Sequence, residues 1–371
     1  MVDDPKYFWI GFNLVKGIGP TRLRSLLDYF GDARSAWQAS AQQLEQAGLG
    51  SKLAGAVVAM RQGGELERAW QSIEHHHITV LTWDDPHYPR RLKEIDQPPP
   101  VLYLQGELSE VDQWAVAIVG TRRITAYGRQ VAQELAAAMA RNGVTVISGL
   151  ARGVDAAAHQ AALDAGGRTL AVLGCGVDVI YPPENRRLAG SIIQQGALLS
   201  DYPPGTAPEA GNFPPRNRII SGLAQAVVVV EAGEKSGALI TAAYAADQGR
   251  QLFAVPGNIN APQSRGANIL IREGARILLS SQDILETLNL AQVAQQRSAR
   301  VVLPTDATEA HLYALLGREP LHVDEIRLQS NLPIEQVSAS LTLMELKGLV
   351  RQVGAMRYVA VYEPGEPYEI E

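Results

Sequence analysis

The chain has 371 residues, 46% hydrophobic and 19% charged, with a formal net charge of −6. That length carries two or three domains with a sizeable core, and the negative balance excludes a polycation that holds nucleic acid through a global field, leaving only local basic patches for the purpose. The single cysteine, Cys175, excludes an internal disulfide; no apolar run reaches the ~18–20 residues of a membrane span, and the acidic opening MVDDPKYFWIGF has neither a basic start nor a small-residue cleavage site, so a cytoplasmic location is expected.

Residues 1–75 are expected to form a helical domain. In NLVKGIGPTRLRSLLDYFG a glycine turn precedes Leu23, Leu26, Leu27 and Phe30 at helical spacing, and QLEQAGLGSKLAGAVVAM repeats the unit. Each places a Gly-x-Gly turn, Gly17 with Gly19 and Gly48 with Gly50, between two helical stretches. Such pairs resemble helix-hairpin-helix (SAM-like) motifs, whose turn amides face a DNA backbone; two αα-corners packing a small bundle is an equal alternative, because few lysines and arginines lie near the turns. The histidines at 75–77 are consecutive, so they diverge in direction, and no cysteine or carboxylate cluster accompanies them. They fit a solvated helix end better than a metal site. Residues 78–112 form a connector whose Pro98-Pro99-Pro100 run forbids helix and favours an extended segment.

From 114 to 288 the pattern changes. AVAIVG, VTVISG, RTLAVLG, ALLSDY, AVVVVEA, QLFAVPG and ARILLS recur at regular intervals, separated mostly by alanine-rich amphipathic stretches such as GRQVAQELAAAMARNG. Continuous apolar strands alternating with helices imply a parallel sheet covered on both faces. The fold class is therefore α/β: a doubly wound Rossmann-like domain over 76–288, its N-terminal extension included, with ligands expected at the carboxyl ends of the strands. Cys175, at a strand end in AVLGCGVDVIYP, has no histidine beside it and is expected to be a small core residue. Residues 289–305 are polar and form a linker. Over 306–362, three short helices and a hairpin turning near Gly354 resemble a winged helix, followed by a tail at 363–371. The third helix carries Glu335, Glu345 and only Lys347, poor equipment for a major groove.

The strand-end loops hold Arg122, Arg123, Arg152, Arg216, Arg218, Lys235 and Arg265. With glycines and helix starts beside them they describe an extended anion site, although two or three are expected to pair with Asp155, Glu231 or Asp201. The first turn, GTRRITAYG, fails the dinucleotide pattern G-x-G-x-x-G, and GEKSG lacks the glycine spacing of a Walker A loop, so no cofactor is expected. Asp155 and His159, four apart on one helix face, are expected to form a hydrogen-bonded pair fixing the helix start; no nucleophile elbow appears and no catalytic residue is assigned. Phosphates recurring along a strand account for more of the residues than one compact nucleotide does, and Tyr181, Tyr202 and Phe213 offer flat faces for unpaired bases.

Together, AIVGTRRITAYG, VISGLARGVDAAAHQAAL, GCGVDVIYPPEN, the long run from FPPRNRIISG to LFAVPGN, and GANILIREGA closely resemble the DNA-processing protein A (Smf) family. The resemblance implies a non-enzymatic protein of natural transformation that binds incoming single-stranded DNA, protects it, helps load the RecA recombinase, and works as a homodimer joined through the Rossmann-like domain. Carried onto matching positions, the DNA contacts it implies are Arg122 in VGTR, Arg152 and Gly153 in GLARG, and Phe213, Arg216, Asn217 and Arg218 in FPPRNR, joined by Lys235, Ser236 and Gly237 in EKSG and Asn258 in VPGN. The alternative is a phosphoribohydrolase-like enzyme of related fold. EAGEKSGALITAAYAA departs from that chemistry, with alanine and isoleucine where adjacent glutamates would be required.

Overall fold

The computed structural model describes residues 4–288, 307–316, 320–346, 349–353 and 356–360. The chain divides into two compact units, Met1–Leu290 and Ala291–Glu371. The expected linker at 289–305, the hairpin apex at Gly354, Lys347 and the tail at 363–371 lie outside the described residues.

The larger unit is built on a nine-stranded sheet. Its strands are β1 (Thr79–Thr82), β2 (Val101–Gly106), β3 (Ala115–Val119), β4 (Thr145–Ser148), β5 (Thr169–Val172), β6 (Ala197–Ser200), β7 (Ala226–Val229), β8 (Gln251–Ala254) and β9 (Arg276–Ile277), in the spatial order β1-β2-β6-β5-β4-β3-β7-β8-β9. From β6 across to β9 every neighbouring pair is parallel. Strands β3 to β7 are buried along their whole length, as uninterrupted apolar runs require when both faces are covered. The two-residue period sorts the side chains. On β5 and β6, Leu170, Val172, Ala197 and Leu199 enter one core and Ala171 and Leu198 the other. The first core is closed by Ile219 and Ile220 of the helix Phe213–Leu223 and by Ala238, Ala242 and Ala245 of the helix Ala238–Asp247. The second is closed by Leu163 of Val154–Asp164 and by Leu188 and Ile192 of Arg186–Gln195.

Successive crossovers carry the chain from β3 outward to β6; the helix Phe213–Leu223 then returns it to β7, on the far side of β3. Loops leaving β3 and β7 therefore diverge, and the crevice between them at the carboxyl edge is the place such a sheet offers a ligand.

Two features differ from the sequence expectation. The connector is more than an extended tether: β1 pairs antiparallel with β2, and β2 with β6, so it widens the sheet. Val101, Leu102, Tyr103 and Leu104 are all buried, a short apolar run easily overlooked behind three prolines. Nor is there a seam near residue 75. Ile10, Phe12, Leu23, Leu26 and Leu44 of the N-terminal helices share one core with β2 and β6. Trp9 meets Trp83 edge-on at 5.8 Å, the Tyr103 hydroxyl donates to Asn13 Oδ1 at 2.9 Å, and Lys6 pairs with Asp85 at 2.9 Å. The helical region is one wall of the same body because its apolar stripe has no other surface to bury against. Cys175 is a core residue whose buried thiol donates to the Val179 carbonyl and is pushed up to about 11 by burial. No helix among the described residues is long and apolar enough to cross a membrane.

The smaller unit places the helices Ala307–Leu315, Val323–Ser330 and Ile334–Leu346 beside a three-stranded sheet, in which β10 (Leu321–His322) and β11 (Val350–Gln352) flank β12 (Arg357–Ala360). Leu312, Leu316, Ile326, Val337, Leu341 and Met344 fill its core. This is the winged-helix arrangement, with β10, only two residues long, added to the expected hairpin.

Candidate nucleic-acid interface

The loops leaving β3, β4 and β7, together with the start of the helix Phe213–Leu223, enclose a cavity of about 800 Å³. Its wall takes Gly120, Thr121, Arg122 and Arg123 from the first loop, Ala151 from the second with Asp155 of the helix that follows it, and Lys235, Ser236 and Gly237 from the third. Phe213, Arg216 and Asn217 come from the helix Phe213–Leu223. A smaller hollow adjoins it, sharing Arg122, Ala151, Tyr181, Phe213 and Arg216 and adding Arg152 and Pro182.

The glycines of SGLARG serve the packing of these loops. Gly153 has φ +82°, and a Cβ there would sit 2.2 Å from the Thr121 carbonyl oxygen, so only glycine lets the β3 and β4 loops touch. A Cβ on Gly149 would sit 2.7 Å from the Arg216 guanidinium.

That guanidinium has a structural commitment the sequence reading did not expect. Arg216 is only 4% exposed. Its Nη1 donates to the carbonyls of Gly149, at 2.9 Å, and of Val172. Burial lowers its proton affinity while the Asp155 carboxylate supports the charge. Arg216 is an almost fully buried cation set into the cavity wall, holding the β4 loop to the end of β5. Arg218 is also engaged. It donates to Gln97 O at 2.9 Å and Pro215 O at 3.0 Å and pairs with Asp201 at 2.9 Å, tying the connector to the sheet outside the cavity wall. Asn217 donates to the Gly237 carbonyl at 3.3 Å, bracing the 235–237 turn from behind. Ser236 Oγ accepts from the Ala238 amide at the start of the next helix. Asn258 lies beyond the wall, at the end of β8, its Oδ1 accepting from the Asn260 amide.

The available cations are Arg122, Arg123 and Lys235, all exposed in the wall and without an ion-pair partner among the described residues. Arg152 is exposed but paired with Glu184, and Arg265 is paired with Glu234 at 3.7 Å. Phe213 forms the apolar centre. Its ring backs onto Gly174, lies 5.8 Å from Tyr181, and carries the Arg122 guanidinium 5.5 Å from its centroid. Tyr202 instead donates to the Asn212 carbonyl.

The acids near the cavity are structural. Asp155 accepts from the amides of Gly149 and Ala151 at 3.1 and 3.3 Å; burial raises its pKa against the pull of Arg216. Glu231 accepts from the amide and hydroxyl of Thr125 at 3.0 and 2.8 Å, fixing the start of the helix Ala126–Arg141. His159 does not pair with Asp155. The Thr169 hydroxyl donates to Val146 O, so His159 Nδ1–H is assigned as donor to that hydroxyl, at 2.6 Å. Burial, with a lesser contribution from Arg216, lowers its pKa from 6.5 to about 3.

A neutral His159 has a measurable consequence. Below about pH 6.5 the unfolded chain takes up a proton there that the folded chain refuses, so stability falls as pH drops toward about 3. The slope from this group reaches at most about 1.4 kcal/mol per pH unit. Urea midpoints measured from pH 7 to pH 4 are expected to fall more steeply for wild type than for His159→Gln. Parallel curves would contradict the assignment.

Residues 79–289 match the family model for DNA recombination-mediator protein A, and residues 296–356 match that for the DprA winged helix domain. The chain is 37% identical to Protein Smf of Synechocystis sp., across 96% of this chain and 99% of that protein. It is 43% identical to the DNA processing protein DprA of Bacillus subtilis, across 60% and 76%. Among solved structures, DNA processing protein A from Streptococcus pneumoniae superimposes with a TM-score of 0.67 at 33% identity, covering 76% of this chain and 97% of that one. DNA processing protein A from Helicobacter pylori, whose structure concerns its single-stranded DNA binding mode, gives 0.52 at 34%, covering 58% and 97%.

Proposed function

Because the chain belongs to the DNA recombination-mediator protein A family, we propose that it binds single-stranded DNA in the crevice between the β3 and β7 loops, protects the incoming strand, and helps place the RecA recombinase on it during transformation or recombination. It does so in the cytoplasm and as a homodimer. The strand-binding part rests on one observation: Arg122, Arg123 and Lys235, without an ion-pair partner among the described residues, line the same open cavity as the Phe213 and Tyr181 rings. Spaced cations suit successive phosphates, and half-buried rings at a cavity wall suit bases that have lost their partners. Protection, RecA loading, dimerisation and the cellular setting are proposed on the strength of family membership alone, and the single-strand binding mode of the Helicobacter pylori relative supports the strand-binding part.

The proposed action is binding without covalent chemistry. Asp155 and Glu231 are both committed to holding backbone and hydroxyl groups, and the wall contributed by the β7 loop presents lysine, serine, threonine and apolar side chains where a base-releasing enzyme would place paired carboxylates.

Fluorescence anisotropy with labelled single- and double-stranded oligonucleotides across a salt series tests the reading. Single strands are expected to bind more tightly, with little sequence preference. For about three phosphate contacts, the logarithm of affinity should fall against log salt with a slope of roughly −2. Equal, weak binding of both forms, or release of base from a nucleoside monophosphate, would favour the enzyme of related fold.

A further inference from the structure

Arg152 stands beside the smaller hollow, yet it differs from Arg122, Arg123 and Lys235 in having a carboxylate on it. We infer that Glu184 is a built-in competitor for DNA phosphate, making Arg152 available to a strand already held at Arg122 and Lys235 and closed to isolated nucleotides. The inference rests on the single-strand binding proposed above.

Three features of the geometry carry it. Arg152 Nε donates to Glu184 Oε1, with the two side chains 56% and 49% exposed, so the pair can open without moving the core. Glu184 is held opposite Arg152 by its neighbour: buried Asn185 donates to the Leu150 carbonyl at 2.8 Å, fixing the short turn Pro183–Asn185 against the loop that carries Arg152. Arg152 and Arg122 line the same hollow, and Arg122 also lines the main cavity, so the row of cations is continuous.

An exposed ion pair of this kind is weak and exchangeable, whereas an arginine on a phosphate gains charge-assisted bonds of fixed geometry. A lone phosphate arriving from solution has to displace Glu184 with no other hold. A strand anchored at two neighbouring cations presents its next phosphate at high effective concentration, and displacement follows. Glu184 thereby sets a minimum length for tight binding.

The test compares wild type, Glu184→Gln, Arg152→Ala and the double variant by anisotropy, using one short and one long oligothymidylate. Glu184→Gln is expected to tighten binding about threefold to tenfold, more for the short oligonucleotide than for the long one. In the Arg152→Ala background the gain should vanish. No gain, or the same gain without Arg152, would overturn the inference, since a general loss of negative charge would act in both backgrounds. Failure of wild type to prefer single strands would instead overturn the binding reading itself. Thermal melts of the four proteins show whether the turn stays folded.

Discussion

Arg122→Ala combined with Lys235→Ala is expected to weaken single-stranded DNA binding by about 100-fold or more while leaving the fold intact. Each side chain is exposed, makes no ion pair among the described residues, and faces the cavity from a different loop. A charge-assisted bond to phosphate contributes roughly 1.5–3 kcal/mol, so losing two costs at least about 3 kcal/mol of binding. The stability cost is small, because removing an exposed cation leaves no buried group unpaired; Arg122 gives up only its packing on the Phe213 ring. Anisotropy at fixed salt beside a thermal melt separates the two quantities. Unchanged affinity in a folded double variant would remove these side chains from the interface. The salt slope should become shallower by about 1.4 at the same time, roughly 0.7 for each phosphate that is no longer neutralised.

Arg216→Ala is expected to do the reverse, costing roughly 3–5 kcal/mol of stability. It strands the carbonyls of Gly149 and Val172 and leaves Asp155 buried without its positive neighbour. The guanidinium also lies 5.8 Å from the centre of the Phe213 ring, so the stacking surface loosens with it. Denaturant unfolding followed by far-ultraviolet circular dichroism measures the loss. A variant as stable as wild type that merely binds less DNA would return Arg216 to the role of a direct phosphate contact.

The contrast between these arginines shows what the sequence could and could not tell. The parallel sheet was legible because strands covered on both faces need unbroken apolar runs, and the runs from AVAIVG to ARILLS are the strands β3 to β9. Chemical types at the strand ends were legible too: cations, glycines and aromatic rings do gather there. Which way each side chain points was not. Arg216 and Arg218 stand two positions apart on one helix, where successive residues rotate by about 100°. One therefore turns inward to the end of β5 at the cavity wall and the other leaves toward Asp201. Arg152 and Arg122 look alike in sequence, and only the fold brings Glu184 to one of them. The Asp155–His159 spacing suggested a mutual bond, but the helix turns His159 toward Thr169 and Asp155 toward its own loop. The core that the N-terminal helices share with the sheet was hidden for a related reason. An amphipathic helix announces that it buries a face, not what it buries that face against.

The proposed function requires that the strand lie across the Phe213 and Tyr181 rings in the crevice between the β3 and β7 loops. Photocrosslinking with a single strand carrying 5-iododeoxyuridine, followed by peptide mass spectrometry, tests this most directly, because the halogenated base reacts with an aromatic ring it stacks on. The expected result is an adduct on Phe213 or Tyr181 that disappears in the Arg122→Ala/Lys235→Ala protein. Adducts confined to the N-terminal helices or to the winged-helix unit, and unaffected by those substitutions, would contradict it.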